Sequence, residues 1–259
     1  MTITKNQIKF VRSLSLKKNR DEHHLFVAEG KKCVTELASA FRCKMLIAIE
    51  NQSDISDIVE CEDLFIVPPS ELERMSQLRS PQGVIAVFDK QKRKNNTTTK
   101  ETTTELILAL DGIQDPGNLG TIIRLADWFG IEQIIASKDT ADAFAPKVVQ
   151  ATMGALARVN INYLELQTEL EKLSKNYNIL GTFLEGENIY THENLSQPGI
   201  LVMGNEGNGI RPEIEQLVTD KLFIPSYPSG RPTSESLNVA VATAVACAEI
   251  RRRQSTSVK

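Results

Sequence analysis

Residues 201–210 read LVMGNEGNGI: an apolar run passes directly into Gly204-Asn205-Glu206-Gly207-Asn208-Gly209. The run has the makings of a buried strand, from Gly199 to Gly204. The loop after it has no side chains with which to hold itself by packing. Three glycines allow positive φ and a close approach of backbone to something else, so the loop reads as a binding element. It lacks the Lys-Ser/Thr ending of a phosphate loop and does not match G-x-G-x-x-G. Glu206 would repel phosphates, so an uncharged or cationic ligand fits better than a triphosphate.

Working outward, apolar strand-like runs alternate with helical patterns. Further strands are predicted at 106–111, 133–137, 179–184 and 222–226, with helices near 118–129, 146–155, 168–177, 211–219 and 236–253. Short runs separated by helices of this length indicate βαβ units and a mostly parallel α/β sheet with helices on both faces. Ligands then bind beyond the carboxyl ends of the strands. Nearer the N-terminus, strands at 25–30, 44–49, 63–68 and 83–88 and helices at 31–41 and 70–78 describe a smaller α/β domain. Ser70 and Glu73 suggest a capping box. Between the two lies DKQKRKNNTTTKETTTE (89–105), polar and without apolar residues to bury, which reads as a flexible linker. The expected division is 1–90, a linker over 91–105, and 106–259.

Two more polar loops follow predicted strands. In LDGIQDPGNLGTIIRLADWFG (110–130), Asp115-Pro116-Gly117 makes a turn and Asn118 is placed to cap the following helix. Leu119, Ile122, Ile123, Ala126 and Phe129 form its apolar stripe, with Arg124 off the seam and Gly130 at the end. In the stretch 223–253, Pro225, Pro228, Gly230 and Pro232 force an irregular loop. Ser236-Leu237-Asn238 then opens a long helix with Leu237, Val241, Ala244, Val245 and Ala248 on one stripe. Arg251, Arg252 and Arg253 close it, where the helix dipole favours cations.

Composition bounds the rest. With 41% hydrophobic and 24% charged residues, the 259-residue chain has ample material for a core. It contains no apolar run of the ~18 residues a membrane helix needs. The opening residues have no apolar core of a secretory signal, and the cytoplasm is the expected compartment. Cys33, Cys43, Cys61 and Cys247 have no zinc spacing, and His23, His24 and His192 form no metal constellation, so no metal is expected. Cys33 and Cys247 fall in helical apolar patterns, as core thiols do. The net charge is −3, yet residues 1–32 carry eight basic against three acidic residues. A local basic face can bind phosphates regardless of the total; a solvated helix face is the plainer alternative.

Taken together, the three loops resemble the SpoU family of RNA ribose 2′-O-methyltransferases. The family's first motif carries an Asn and, six residues on, an Arg, matched by Asn118 and Arg124. Its second is an apolar strand followed by G-N-E-G-x-G, matched by 204–209. Its third is I-P, a loop and S-L-N-V, matched by Ile224-Pro225 and Ser236-Leu237-Asn238-Val239. All occur in family order. FVAEGKKCVTEL (26–37) and SPQGVIAVF (80–88) resemble the L30e-like substrate-binding domain that precedes the catalytic domain in many members, with Pro81 where many have His. The loop SYPSGRPTSE also looks longer than in common members.

The resemblance implies a trefoil-knotted methyltransferase domain that binds S-adenosyl-L-methionine through Gly204, Asn205, Gly207, Ile224 and Leu237. It places Asn118, Arg124, Glu206, Ser236 and Asn238 at the reaction centre. Arg124 would hold the phosphate beside the reacting 2′-hydroxyl and stabilise developing oxyanion charge; as a guanidinium it is no base. The partners implied are RNA, ribosomal before transfer RNA, and a second copy of the chain across the terminal helix of the knotted domain. Two other classes compete. A non-catalytic ribosome-assembly factor would show damage at Asn118, Arg124, Glu206 or Asn238, and an unrelated nucleotide-binding enzyme would need a phosphate loop.

Overall fold

The structure is a computed structural model that describes residues 2–92, 106–193, 195–197, 199–227 and 234–256. From residue 93 the expected linker lies outside the described residues, as do Pro228, Gly230 and Pro232. The chain divides into two compact units: Met1–Thr98 with Asp142–Arg158, and Thr99–Ala141 with Val159–Lys259.

In the first unit the elements run α1 (Lys5–Ser13), α2 (Lys17–His23), β1 (Leu25–Glu29), α3 (Lys31–Ala38), β2 (Phe41–Ala48), a 3₁₀ segment (Glu50–Asp57), β3 (Cys61–Ile66), α4 (Pro69–Met75) and β4 (Val84–Lys92). The four strands form one sheet in the order β1-β4-β2-β3. Alternation decides which helix covers which face. Val27, Met45, Ile47, Ile85 and Val87 meet Ile8 and Val11 of α1 and Leu72 and Met75 of α4. Phe26 and Phe88, one position out of phase, stack at 5.6 Å.

Residues 142–158, which lie inside the stretch read from sequence as the second domain, complete that second face. Phe144 packs at 4.9 Å from Phe26, and Asp142 pairs at 2.7 Å with the buried Arg20. There α6 (Pro146–Thr152) contributes Val148 and Val149, which are fully buried.

The second unit is a seven-stranded sheet whose pairings are all parallel. Its elements are β5 (Leu106–Asp111), α5 (Pro116–Trp128), β6 (Gln133–Ser137), β7 (Asn160–Leu164), α7 (Leu166–Leu173), β8 (Asn178–Phe183), β9 (Glu187–Asn188), β10 (Gly199–Gly204), α8 (Pro212–Glu215), β11 (Asp220–Phe223) and α9 (Val239–Thr256). The strand order is β7-β6-β5-β10-β8-β11-β9. Ile107, Ala109, Ile179, Ile200 and Val202 bury against Leu166 and Leu170 of α7 and Ile214 of α8. On the other face α5 and α9 pack together. This is the α/β fold the alternation predicts, with the apolar strand 199–204 between β5 and β8.

Several local expectations are corrected. Ser70 caps nothing, because α4 already starts at Pro69, whose fixed φ suits a first helical position, with Pro68 before it. Asn118 is not an N-cap either: Asp115 takes that role, accepting from the Asn118 N–H at 2.8 Å. The helix thus begins two residues before Asn118, whose side chain is left for other partners. Phe41, expected on a helix, opens β2, and the helix expected at 211–219 is the single turn α8. On α9 the buried side is Val239, Ala240, Thr243, Ala246, Cys247 and Ile250, whereas Val241 on the helix and Leu237, which lies before it, are about half exposed.

Candidate active site

Parallel pairing brings the carboxyl ends of β5, β10, β8 and β11 to one edge of the sheet, which places Asp111, Gly204 and Ile224 there. The loop after β10 closes on itself, with Asn205 and Gly209 exchanging backbone hydrogen bonds at 2.9 Å. The Asn205 side chain builds the rest. Its Oδ1 accepts from the N–H groups of Gly207 (2.9 Å) and Asn208 (3.1 Å), and its Nδ2 donates to the Gly112 carbonyl at 2.7 Å.

The glycines have different reasons. At Gly204 a Cβ would overlap the backbone of Gly209 and Ile210, and at Gly209 φ is +71°. At Gly207 a Cβ would meet only Asn205 Oδ1, at 3.5 Å. Neither close approach nor positive φ within this chain explains that glycine, which leaves a backbone surface open to a ligand.

Three side chains from the three loops form a one-way relay. Asn238 Oδ1 accepts from the N–H of Ala240 (3.0 Å) and Val241 (3.4 Å), capping α9. Its Nδ2 donates to Asn118 Oδ1 at 2.9 Å, and Asn118 Nδ2 donates to Glu206 Oε1 at 2.8 Å. Each amide has a single consistent orientation, because helix N–H groups only donate and an ionised carboxylate only accepts. Glu206 is exposed and keeps its second oxygen uncommitted among the described residues.

Arg124 lies on α5 six residues beyond Asn118; it is exposed and has no partner among the described residues. Ser236 and Leu237 immediately precede Asn238 and are exposed, and Ile224 is half-buried just past β11. The structure thus joins Asn118, Glu206 and Asn238 directly, and brings neither Arg124 nor Ser236 into hydrogen-bond contact with them.

Residues 105–248 match the SpoU rRNA methylase family. The chain belongs to the SpoU rRNA methylase family. Residues 5–86 match an MRM3-like substrate-binding domain. The chain is 29% identical over 244 residues to the 23S rRNA (guanosine(2553)-2′-O)-methyltransferase RlmP of Bacillus subtilis, covering 93% of this chain and 94% of that one. Among solved structures it is similar to a protein assigned to the TrmH family of RNA methyltransferases from Porphyromonas gingivalis (40% identity, TM-score 0.82, 98% and 100% covered). It is also similar to an AdoMet-bound rRNA methyltransferase from Sinorhizobium meliloti (29% identity, TM-score 0.82, 97% of each chain covered).

In this SpoU family member one pair that the sequence reading missed braces the site. Asp111, the last residue of β5, is buried, and its carboxylate receives the Arg211 N–H (2.8 Å) and Nε (2.7 Å). Gly112, next in the chain, holds Asn205. Adjacent residues at the end of β5 therefore grip both ends of the glycine loop. The hydrogen bonds and charge of Asp111 push the Arg211 guanidinium above its ordinary range. The only sequence signal was an acidic residue ending an otherwise apolar run, LILALD. The arginine triplet is spent inside the unit. Arg251 donates to the carbonyls of Phe129 (2.8 Å) and Gly130 (3.1 Å), and Arg252 and Arg253 both reach Glu249.

Proposed function

We propose that this protein is an S-adenosylmethionine-dependent methyltransferase that modifies a ribose 2′-hydroxyl in ribosomal RNA. The observation that carries this reading is the Asn238–Asn118–Glu206 relay, which ties the family's three motif loops together at the carboxyl edge of the sheet. The residues present suit the cofactor. Open backbone at Gly207, half-buried Ile224 and half-exposed Leu237 offer backbone and apolar surface for a flat heteroaromatic group. When bound, the cofactor supplies an electrophilic methyl group on a sulfonium.

The chain's own residues do the remaining work. The glycine loop is fixed at both ends, so its backbone is held in position before any ligand arrives. Asn118 holds Glu206 in one orientation, leaving a carboxylate oxygen to accept a hydrogen bond or to face positive charge. Arg124, unpartnered within the described chain, is available to hold the phosphate next to the reacting ribose and to offset the negative charge that develops on the 2′-oxygen. Asn238 positions the loop that carries it by capping α9, and Ser236, exposed beside it, is available to orient the ribose.

Three finer points belong to the same proposal. A trefoil knot is supported by the match of residues 105–248 to the SpoU family. A homodimer is supported by the exposed apolar residues on the paired helices α5 and α9, with Trp128 83% exposed and Val241 near one half. The cytoplasm is supported by four free cysteines, three of them buried.

The test is methyl transfer from labelled S-adenosylmethionine to unmodified ribosomal and transfer RNA, with modified positions mapped as alkali-resistant linkages. A single protected site in ribosomal RNA is expected. Incorporation only into transfer RNA would change the substrate, and cofactor binding without transfer to either RNA would overturn the reading.

A further inference from the structure

The first unit distributes its charges unevenly. Lys31, Arg42, Lys44, Lys90 and Arg158 each reach a carboxylate, on Asp54, Glu62, Glu62, Asp21 and Glu36 respectively, while Lys32, Arg74 and Arg79 are exposed single cations without one among the described residues. Lys5, Lys9 and Arg12 on α1 and Lys17 and Lys18 on α2 reach none: all five are exposed, without an ion pair or hydrogen bond among the described residues. Helix α1 contains no acidic residue. Lys5, Lys9 and Arg12 stand at i, i+4 and i+7, so they share one side of the helix over about 10 Å, away from Ile8 and Val11 in the core.

The junction of the two helices is held rigidly. Arg20 is buried; its Nη1 donates to the carbonyls of Leu14 (2.9 Å) and Ser15 (2.7 Å), while Nη2 pairs with Asp142 at 2.7 Å. Asn19 Nδ2 donates to the Ser13 carbonyl at 2.9 Å. The five cations are therefore presented on a fixed platform. On α1, where no acidic residue stands among them, Lys5, Lys9 and Arg12 repel one another and a polyanion relieves that repulsion, while on α2 Lys17 is offset in part by its attraction to Asp21. A membrane surface is a poor occupant, because the apolar side of α1 is already buried in the core and cannot insert.

We infer that the α1–α2 face is a phosphate-backbone contact surface for the RNA substrate. This rests on the methyltransferase reading and adds where on the first unit the RNA is gripped. Contacts of this kind carry no sequence information; they fix register while bases are read elsewhere.

The test compares wild type with a Lys5→Gln/Lys9→Gln/Arg12→Gln variant, in which glutamine preserves helix propensity. A second variant, Lys17→Gln/Lys18→Gln, probes α2, and Arg42→Gln/Lys44→Gln controls for charge removal elsewhere. Binding to an unmodified 23S rRNA transcript is followed by fluorescence anisotropy as KCl is raised, with cofactor binding and methyl transfer measured alongside. Each engaged cation removed should make the log–log salt dependence shallower by roughly one, so the triple variant should lose roughly three units of slope. The control should match wild type, and cofactor affinity should not change in any variant. If the triple and double variants keep wild-type affinity and slope while methyl transfer persists, the surface assignment falls alone. If wild type neither binds nor methylates the RNA, the methyltransferase reading falls with it.

Discussion

The side-chain amide of Asn238 donates to the carbonyl oxygen of Asn118 at 2.9 Å, across 120 residues of sequence. Through this bond the N-terminus of α9 dictates which way Asn118 faces, and so which atom meets Glu206. Asn118→Ala should lower methyl transfer by roughly 10- to 100-fold, as expected for losing a hydrogen bond to a charged group worth about 1.5–3 kcal/mol. Asn118→Asp, nearly isosteric, should be worse, since it sets a second carboxylate against Glu206. Single-turnover rates of the two variants decide the matter; an aspartate variant as active as wild type would exclude the relay.

Arg124 contributes nothing visible to the fold, so its removal should separate chemistry from stability. Arg124→Ala should reduce transfer by at least about 100-fold, the scale of a lost oxyanion donor. Thermal stability should stay within about 0.5 kcal/mol of wild type. Cofactor affinity by calorimetry should be unchanged, and its loss would contradict the role assigned to the residue.

The glycines of the loop should divide into two kinds. Gly204→Ala forces a methyl group into the backbone of Gly209 and Ile210, which should destabilise the unit by about 1–3 kcal/mol. Gly207→Ala meets only the end of the Asn205 side chain and should leave the melting temperature alone while weakening cofactor binding. Equal cofactor affinity for wild type and Gly207→Ala would show that the ligand does not use that surface.

Asp111 and Arg211 should behave as a coupled pair. Arg211→Ala leaves the buried carboxylate with the residue-211 N–H but without the guanidinium and should cost about 1–3 kcal/mol. Adding Asp111→Asn removes the buried charge and should restore part of the loss, which denaturant titration of both variants would show.

Acid should act on the last helix. Glu249 is held down to about 2, first by hydrogen bonding from Arg252 and then from Arg253, against an ordinary value of 4.5. A carboxylate depressed in the folded state contributes stability above its unfolded pKa. That contribution fades as pH falls from about 4.5 towards about 2. Glu249→Gln should therefore lower the melting temperature by a few degrees at pH 7, and the difference should shrink over that window. A constant difference across the window would refute the linkage.

Much of the second unit was legible because buried parallel strands leave near-continuous apolar runs, as 106–111 and 199–204 do. The relay was legible as residues but not as a connection, since nothing in the sequence says that Asn118 faces Glu206. The edge strand β7, with the sequence NINYL, was missed because an exposed edge needs few apolar residues. Asp111 was missed for a related reason: an acidic residue ending a strand looks the same whether it meets water or an arginine. The helix pattern at 146–155 showed an apolar face without showing which sheet it covers.

That last point bears on how the chain is made. The first unit is discontinuous, with Phe144 beside Phe26 and Asp142 against the buried Arg20. As synthesis proceeds at roughly 5–20 residues per second, its sheet is complete at Lys92 while its covering segment emerges roughly 3–13 s later. During that interval Phe26, Phe88 and the Arg20 guanidinium lack their final neighbours. A nascent chain stalled before residue 142 should be open to proteolysis at this face, and one stalled far enough beyond residue 158 should be resistant.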